Sequence, residues 1–214
     1  MSGKKLGGPR KGTFSAMNAE ESAAFSGVRK TRLPAVRVVE DGPVRTVVEA
    51  VMKYKSSSLC VNYILPKQGT EVGLCYRVYW HEKNALLRVE FPTVFTEGDY
   101  RGQTAYGVQS LPHNNNESVA HTWSAIVDDA SGRALTCSND GSYGSRFTNG
   151  TLSLTLLRAP AYSGHPVGER EIAPQDRFVP RIDQGERVFH FWIDAGDASS
   201  KLTSIDRVAL AHNE

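Results

Sequence analysis

Hydrophobic and polar residues alternate along most of the chain beyond Val36, with the period of two that is typical of β-strands with one buried face. In the clearest run, apolar side chains alternate with small or polar ones over residues 72–81. Weaker runs predict further strands over residues 44–54, 59–65, 85–91, 104–110, 121–127, 134–137, 151–156 and 187–193.

Turn-forming residues separate these strands at 41–43, 67–69, 97–99, 131–132 and 149–150. Almost no helical stretch lies between the strands, so the pattern indicates antiparallel pairing and not alternating strands and helices. So many strands can each bury one face only by stacking as two sheets. We therefore predict an all-β fold, a large antiparallel β-sandwich over residues 36–198.

The final segment, residues 199–214, is the part with a clear helical pattern, and Ser199 or Ser200 is placed to cap it. Its apolar side chains share one face: Leu202, Ile205 and Ala209. The chain ends soon after this stripe, so we expect a short helix whose partner surface lies outside the chain.

Residues 1–35 carry seven basic and two acidic side chains among many glycines and serines. We expect a basic, disordered segment, although such a run could also contact phosphates or acidic lipids. Residues 18–25 within it resemble a helix capped by Asn18. No apolar stretch follows the first lysines as in a secretory signal, which favours a cytoplasmic location while leaving the compartment unknown.

Overall composition excludes several classes of protein. The 214 residues contain 25 basic and 23 acidic side chains, a net charge of +2, which is too small for a general nucleic-acid footprint. No run approaches the ~20 apolar residues of a membrane span, so neither nucleic acid nor a membrane is expected as a partner. Cys60, Cys75 and Cys137 lack CxxC or CxxH spacing, which disfavours a disulfide scaffold or structural zinc.

Local catalytic motifs are missing from the sequence. The histidines lack the i, i+4 spacing of a helical zinc site, and there is no GxSxG elbow or phosphate-binding glycine loop. We therefore assign no catalytic and no metal-binding residue. Two segments remain notable: the glycine-rich loop around Asp140, which could aim side chains at a ligand, and residues 79–83, where aromatic and charged groups could contact a sugar or simply end a hairpin.

Several motifs in one order resemble the β-domain of glycoside hydrolase family 38 α-mannosidases. The matching segments are Asp41-Gly42-Pro43-Val44-Arg45, a Trp-His-Glu-Lys run within residues 79–92, Tyr106-Gly107, Glu117 with Trp123, Asn139-Asp140-Gly141-Ser142-Tyr143-Gly144, Leu156-Leu157-Arg158-Ala159-Pro160, and Asp183-Gln184-Gly185 before Phe189-His190-Phe191. The resemblance covers residues 36–214, with His121 as a departure. It implies a super-sandwich of the galactose-mutarotase type.

The resemblance concerns one domain of a longer enzyme, so it implies an activity for that parent enzyme. The parent enzyme would hydrolyse terminal α-mannosides with retention, aided by zinc held in a separate catalytic domain. This chain lacks the segments that resemble that domain, so we expect no cofactor in it and no activity by it alone. The expected partners are the catalytic domain of the same enzyme and an α-mannoside, with self-association if the docking surface is exposed.

The resemblance also marks candidate binding residues. Asp140 and Tyr143 match the loop that faces the active site in such enzymes, so both become candidates for contacts to substrate hydroxyls. Arg158 could do the same, or could pair with an acid such as Asp140 to hold the loop. A purely structural role remains an alternative for each of the three.

Two rival functions stay open from the residues alone. A mutarotase-like enzyme needs a histidine and a glutamate, which His113, His121 or His190 with Glu117 could supply. A stand-alone carbohydrate-binding module would bind mannosides without turning them over.

Overall fold

The computed structural model describes residues 12–28, 31–160 and 181–214. Over these ranges the chain forms fourteen strands and two helices. The strands are β1 Ser15–Ala16, β2 Val36–Asp41, β3 Arg45–Tyr54, β4 Ser57–Pro66, β5 Val72–Trp80, β6 Leu86–Pro92, β7 Asp99–Thr104, β8 Gly107–Ser110, β9 Ser118–Val119, β10 Trp123–Asp128, β11 Arg133–Asn139, β12 Gly144–Thr148, β13 Thr151–Arg158 and β14 Gly185–Asp197. The helices are α1 Ala19–Phe25 and α2 Ala198–Asn213.

The strands form two antiparallel sheets of unequal size. The large sheet has ten strands in the order β1-β3-β4-β5-β14-β11-β10-β7-β8, with β2 also paired to β3. The small sheet has four strands in the order β6-β13-β12-β9. Strands that follow one another in the chain often lie in different sheets, so residues far apart in sequence meet. The predicted all-β antiparallel sandwich is confirmed.

The core lies between the two sheets. Val78 and Trp80 project from the large sheet, Phe147 and Leu152 project from the small one, and all four are at most 2% exposed. The buried hydroxyl of Tyr100 lies 2.5 Å from the Ser145 hydroxyl across the core. This pairing satisfies a polar group that burial would otherwise destabilise.

Predicted and observed strands agree best where one face is buried. The alternation over residues 72–81 corresponds to β5, which runs Val72–Trp80. The strand predicted over residues 104–110 is correct only for Gly107–Ser110, which form β8, because Tyr106 adopts a positive φ of 64° and the chain turns there after β7. No strand was predicted at β12, where Gly144 and Ser145 weaken the hydrophobic alternation.

The disorder expected for residues 1–35 does not extend to residues 12–28. Asn18 and Glu21 form a capping box that starts α1, as the helical pattern predicted. Phe14 contacts the core ring of Trp80 at 6.5 Å between centroids. An ion pair between Lys53 and Glu21 joins α1 to β3. Composition alone did not predict these contacts, because they involve only a few residues of a mainly basic segment. The rest of the basic run, residues 1–11 and 29–30, lies outside the described residues.

The apolar face of α2 is covered by the large sheet, which corrects the expectation of a partner outside the chain. Ile205 and Ala209 are buried against Trp123 and Ala125 of β10. The Trp123 indole also donates a hydrogen bond to Asp206 at 2.7 Å. The hydrophobic pattern did not predict that α2 packs on β10. Both faces of this strand are buried, so its side chains do not alternate between apolar and polar.

The helix also begins earlier than predicted. Its N-cap is Asp197, whose carboxylate accepts a hydrogen bond from the Ser200 amide at 2.9 Å. Neither Ser199 nor Ser200 is the cap. Within the described ranges, no helix is both long and apolar enough to cross a membrane.

Shortening the side chain of Ile205 tests whether α2 is integral to the fold. Ile205→Ala should lower the free energy of unfolding by about 2–4 kcal/mol, because it leaves a cavity against β10. Leu210→Ala, on the same helix but 57% exposed, should change it by less than about 0.5 kcal/mol. Urea unfolding monitored by tryptophan fluorescence measures both, and equal effects would contradict the docked helix.

Candidate functional site

The loop 139–144 carries the chain from the large sheet to the small one, between β11 and β12. The Asn139 side-chain oxygen accepts hydrogen bonds from the amides of Gly141 and Ser142, at 2.9 and 2.8 Å. Its side-chain nitrogen donates to the His121 carbonyl at 3.0 Å. Gly141 has a φ of +137°, which a residue with a side chain rarely adopts. The loop therefore has a defined shape that presents its neighbours to solvent.

Asp140 ties this loop to the large sheet. One carboxylate oxygen lies 2.5 Å from Nδ1 of His190 on β14, and the other accepts the His190 amide at 3.2 Å. About a third of the Asp140 side chain stays exposed. The predicted pairing of Arg158 with an acid occurs, but the acid is Glu117 and not Asp140, because the Asp140 carboxylate faces β14 of the large sheet and Arg158 lies on the small one.

A row of stacked rings continues from this contact. The His190 ring lies 6.0 Å from Trp192, and Trp192 stacks on His212 at 3.9 Å with nearly parallel planes. The side-chain nitrogen of Asn213 donates to the carbonyl of Asn139 at 3.0 Å. The end of α2 therefore packs beside the loop and supports it from the outer face of the large sheet.

Tyr143 projects from the other side of the loop. Its side chain is 52% exposed, and its ring lies 6.0 Å from the His121 ring in an edge-on arrangement. Its carbonyl accepts a hydrogen bond from the Ala120 amide at 3.0 Å. The backbone is thus fixed while the ring remains open, which leaves an apolar face available for stacking.

Arg158 is held by Glu117 on the small sheet. The Glu117 carboxylate accepts hydrogen bonds from the Arg158 guanidinium and from the Thr155 hydroxyl. The Arg158 amide donates to Asp183 at 3.2 Å. No hydrogen bond or ion pair joins Glu117 to any of the three histidines proposed for the mutarotase-like alternative, as far as the described ranges extend.

A β-bulge in β13 explains why Arg158 reaches this network. The register with β6 shifts between Thr155 and Leu157, so Leu157 is buried in the core after Leu152 and Leu154. Strict alternation would have turned Arg158 toward the core. The extra residue turns it outward, onto the same face as Thr155.

Gly144 makes room for Glu117. A Cβ atom at this position would lie 2.9 Å from the Glu117 Oε1 and 3.3 Å from the Thr155 Cβ. The carboxylate can therefore lie over the backbone of β12 only because residue 144 has no side chain. Of the three predicted residues, Tyr143 and Arg158 adjoin this network, whereas Asp140 faces the opposite sheet.

Known proteins were compared with this fold and site. Residues 16–166 match the family model described as the glycosyl hydrolases family 38 C-terminal domain. The chain belongs to this family. The predicted resemblance to family 38 α-mannosidases is confirmed, and the match begins well before residue 36, inside the segment for which no resemblance was found.

Relatives of the family 38 domain include two α-mannosidases. Alpha-mannosidase 2C1 of Homo sapiens is 34% identical over 91 residues, which cover 39% of this chain and 9% of that protein. Alpha-mannosidase G of Dictyostelium discoideum is 28% identical over 137 residues, or 58% of this chain and 12% of that protein. The chain thus spans about a tenth of the length of these relatives.

The fold itself matches a solved α-mannosidase from Enterococcus faecalis V583. The TM-score is 0.68 at 13% identity, over 83% of this chain and 24% of that one. A second family 38 structure from Enterococcus faecalis gives 0.69 at 15% identity over the same shares. At such low identity this likeness concerns the fold alone.

Metal binding has no support in this part of the protein. Across the described ranges, no three His, Cys, Asp or Glu side chains come close enough together to hold a metal ion. The zinc ion that the resemblance implies would bind residues of a catalytic domain, and this stays a prediction.

The sequence identifies the candidate residues, but it does not identify the residues that contact them. The sequence places His190 and Glu117 in the matching motifs and in a possible catalytic pair, but it predicts neither the contact of His190 with Asp140 nor that of Glu117 with Arg158, and it gives Trp192 no role. Gly144 is an indirect sequence signal for Glu117. The Glu117 carboxylate packs over position 144 and leaves little room for a side chain there.

Gly144→Ala tests the close approach of Glu117 to β12. The new methyl group would displace the end of the Glu117 side chain and weaken its bonds to Arg158 and Thr155, so the free energy of unfolding should fall by about 0.5–1.5 kcal/mol. Gly107→Ala is the matched control, since a Cβ there meets nothing within 4 Å. In a Glu117→Ala background the cost of Gly144→Ala should shrink, and an unchanged cost in urea unfolding would contradict the proposed contact.

The cysteines should be poor nucleophiles in the folded domain. Burial raises the pKa of Cys137 to about 12, and burial together with the nearby Glu49 carboxylate raises that of Cys60 to about 12. Iodoacetamide at pH 8 should therefore modify both at least about a hundredfold more slowly in the native than in the unfolded protein, as measured by mass spectrometry.

The same shifts make stability depend on pH. Because the folded thiols keep their protons above the ordinary cysteine pKa, their contribution is fully present below about pH 8.5 and is lost as pH rises toward 12. The urea midpoint should fall over this alkaline range, and Cys60→Ser should reduce the fall. Rapid alkylation of the native protein would contradict the buried, protonated state.

Proposed function

We propose that this chain is the non-catalytic, substrate-proximal β-sandwich domain of an α-mannosidase, where it contacts the catalytic domain and carbohydrate. The match of residues 16–166 to the family 38 C-terminal domain carries this proposal. The relatives are α-mannosidases of which this chain spans only a small share, which agrees with a part that works beside another domain.

The acids near the loop support a non-catalytic role. Retaining glycosidases use two carboxyl groups about 5–5.5 Å apart, one as nucleophile and one as acid and base. Here Asp140 is engaged by His190, and Glu117 by Arg158 and Thr155. Each carboxylate therefore neutralises or orients a neighbour, and hydrolysis with retention would depend on acids and zinc of the catalytic domain.

Sugar contact would come from the exposed half of the loop. The Tyr143 ring offers an apolar face, and the Asp140 carboxylate keeps about a third of its surface open for a hydroxyl donor. Arg158, with 61% of its side chain exposed, retains guanidinium donors for a hydroxyl oxygen. The rigid backbone beneath them limits the entropy lost on binding.

Tyr143→Asn tests the sugar contact directly. The chain should bind methyl α-mannoside with a Kd on the order of millimolar, because one exposed ring supplies a small apolar contact. The substitution should weaken binding about threefold to tenfold. Tyr106→Asn is the matched control, since Tyr106 is fully exposed on the turn between β7 and β8. Chemical shifts in a ¹⁵N titration measure each affinity, and equal losses in both variants would contradict the contact.

Turnover of an aryl α-mannoside separates an accessory domain from an enzyme. The purified chain should release no aryl alcohol, with added zinc or with a chelator. Turnover that the chelator abolishes would overturn the non-catalytic role even if the binding data agreed with it.

A further inference from the structure

Three arginines from three strands gather on the outer face of the small sheet. They are Arg88 of β6, Arg146 of β12 and Arg158 of β13. Two acids lie among them, Glu117 and Glu90. These five side chains sum to a formal charge of 3 − 2 = +1, with Asp183 bonded to the Arg158 amide and not to its guanidinium group. Of the two acids, Glu117 makes the close ion pair, with Arg158.

The other two guanidinium groups are incompletely paired. Arg88 donates from Nε to the Thr155 hydroxyl at 3.2 Å, but its Nη2 stays 3.8 Å from Glu117, beyond hydrogen-bond distance. Arg146 donates from Nη1 to the Asn115 side chain at 2.9 Å, and its Nη2 lies 4.0 Å from Glu90.

Arg146 also leaves a donor unused. Its Nε is buried and has no hydrogen-bond partner within the described ranges. Buried donors are nearly always paired in folded proteins. A carboxylate bound by Nε and a terminal nitrogen together, in the two-pronged geometry that arginine favours, would satisfy this donor.

The cluster is electrostatically under-compensated as well. Partial burial, followed by the charges of Arg146 and Arg158, lowers the pKa of Arg88 from its ordinary value. The charges of Glu117 and Glu90 act in the opposite direction, and burial removes solvent that would otherwise screen the arginines. An additional negative charge would be stabilised at this position.

We propose that Arg88, Arg146 and Arg158 form a binding site for one carboxylate group on the outer face of the small sheet. A carboxylate has the planar pair of oxygens that matches a guanidinium fork, and its single charge balances the cluster. The site lies apart from the Asp140 contact on the large sheet. Arg158 is shared with the sugar contact proposed above, but Arg88 and Arg146 belong to this site alone, so its test does not require mannoside binding.

The carboxylate could belong to a sugar acid or to an acidic side chain of adjoining polypeptide, since both present the same group. Acetate is the first probe, compared with chloride at equal ionic strength. We expect saturable shifts of the arginine Nε–Hε signals in ¹⁵N spectra, together with a rise in the melting temperature that chloride does not produce.

Arginine variants test the geometry of the site. Arg146→Lys keeps the charge but removes the fork, so it should weaken acetate binding about tenfold. Arg77→Gln is the control, because Arg77 is exposed on the large sheet beside Glu186 and should leave binding unchanged. If Arg146→Lys fails to fold, Arg88→Gln should still weaken acetate binding by a similar factor.

Glu117→Gln gives the sharpest result. Removing the competing carboxylate leaves two excess positive charges, so acetate should bind several-fold more tightly than to the unmodified chain. A merely structural cluster would show no gain. Tighter binding of glucuronate than acetate would indicate a sugar acid, and tighter binding of N-acetylaspartate an acidic side chain. Identical responses to acetate and chloride, or no effect of the arginine variants, would overturn the proposal.

Discussion

The unequal size of the two sheets is the constraint on which the rest of the structure depends. Four strands cannot cover both faces of ten, so the small sheet seals one side of the core around Trp80 and Phe147 and leaves the other side of the large sheet bare. Other parts of the chain cover some of that side, while Tyr79 and Val188 on it remain exposed. The helix α2 does so over β10, where Ile205 and Trp123 meet, while Phe14 closes the core near β5.

The position of the candidate site follows from this arrangement. The chain must pass from the large sheet to the small one at loop 139–144, and a crossing of this kind exposes backbone groups that need partners. Asn139 satisfies several of them, which leaves the next side chains free to face outward. Anchors on both sheets then make the loop a fixed platform: His190 holds Asp140 on the large sheet, and the Ala120 amide beside β9 of the small sheet holds the Tyr143 carbonyl.

The sequence predicted strands and helices, which depend on neighbouring residues. It did not predict the contacts between residues far apart in the chain. Alternation identified β5 because its two faces differ in polarity, and the stripe on α2 was visible for the same reason. The contacts that define the site join residues 50 positions apart, as for Asp140 and His190, or 41 apart, as for Glu117 and Arg158. No periodicity records such pairings, so motif order identified the loop but not what holds it.

The bulge in β13 shows how a strand can change the chemistry of a surface without changing its core. One additional residue before Leu157 reverses which face the following side chains occupy, while Leu152 and Leu154 upstream stay in register. Insertion of a single codon at such a point can therefore move a charged group from an interior where it could not be tolerated to an exterior where it is accessible. Sandwich domains of this kind could acquire new recognition surfaces by such a step, with no need to redesign the packing beneath.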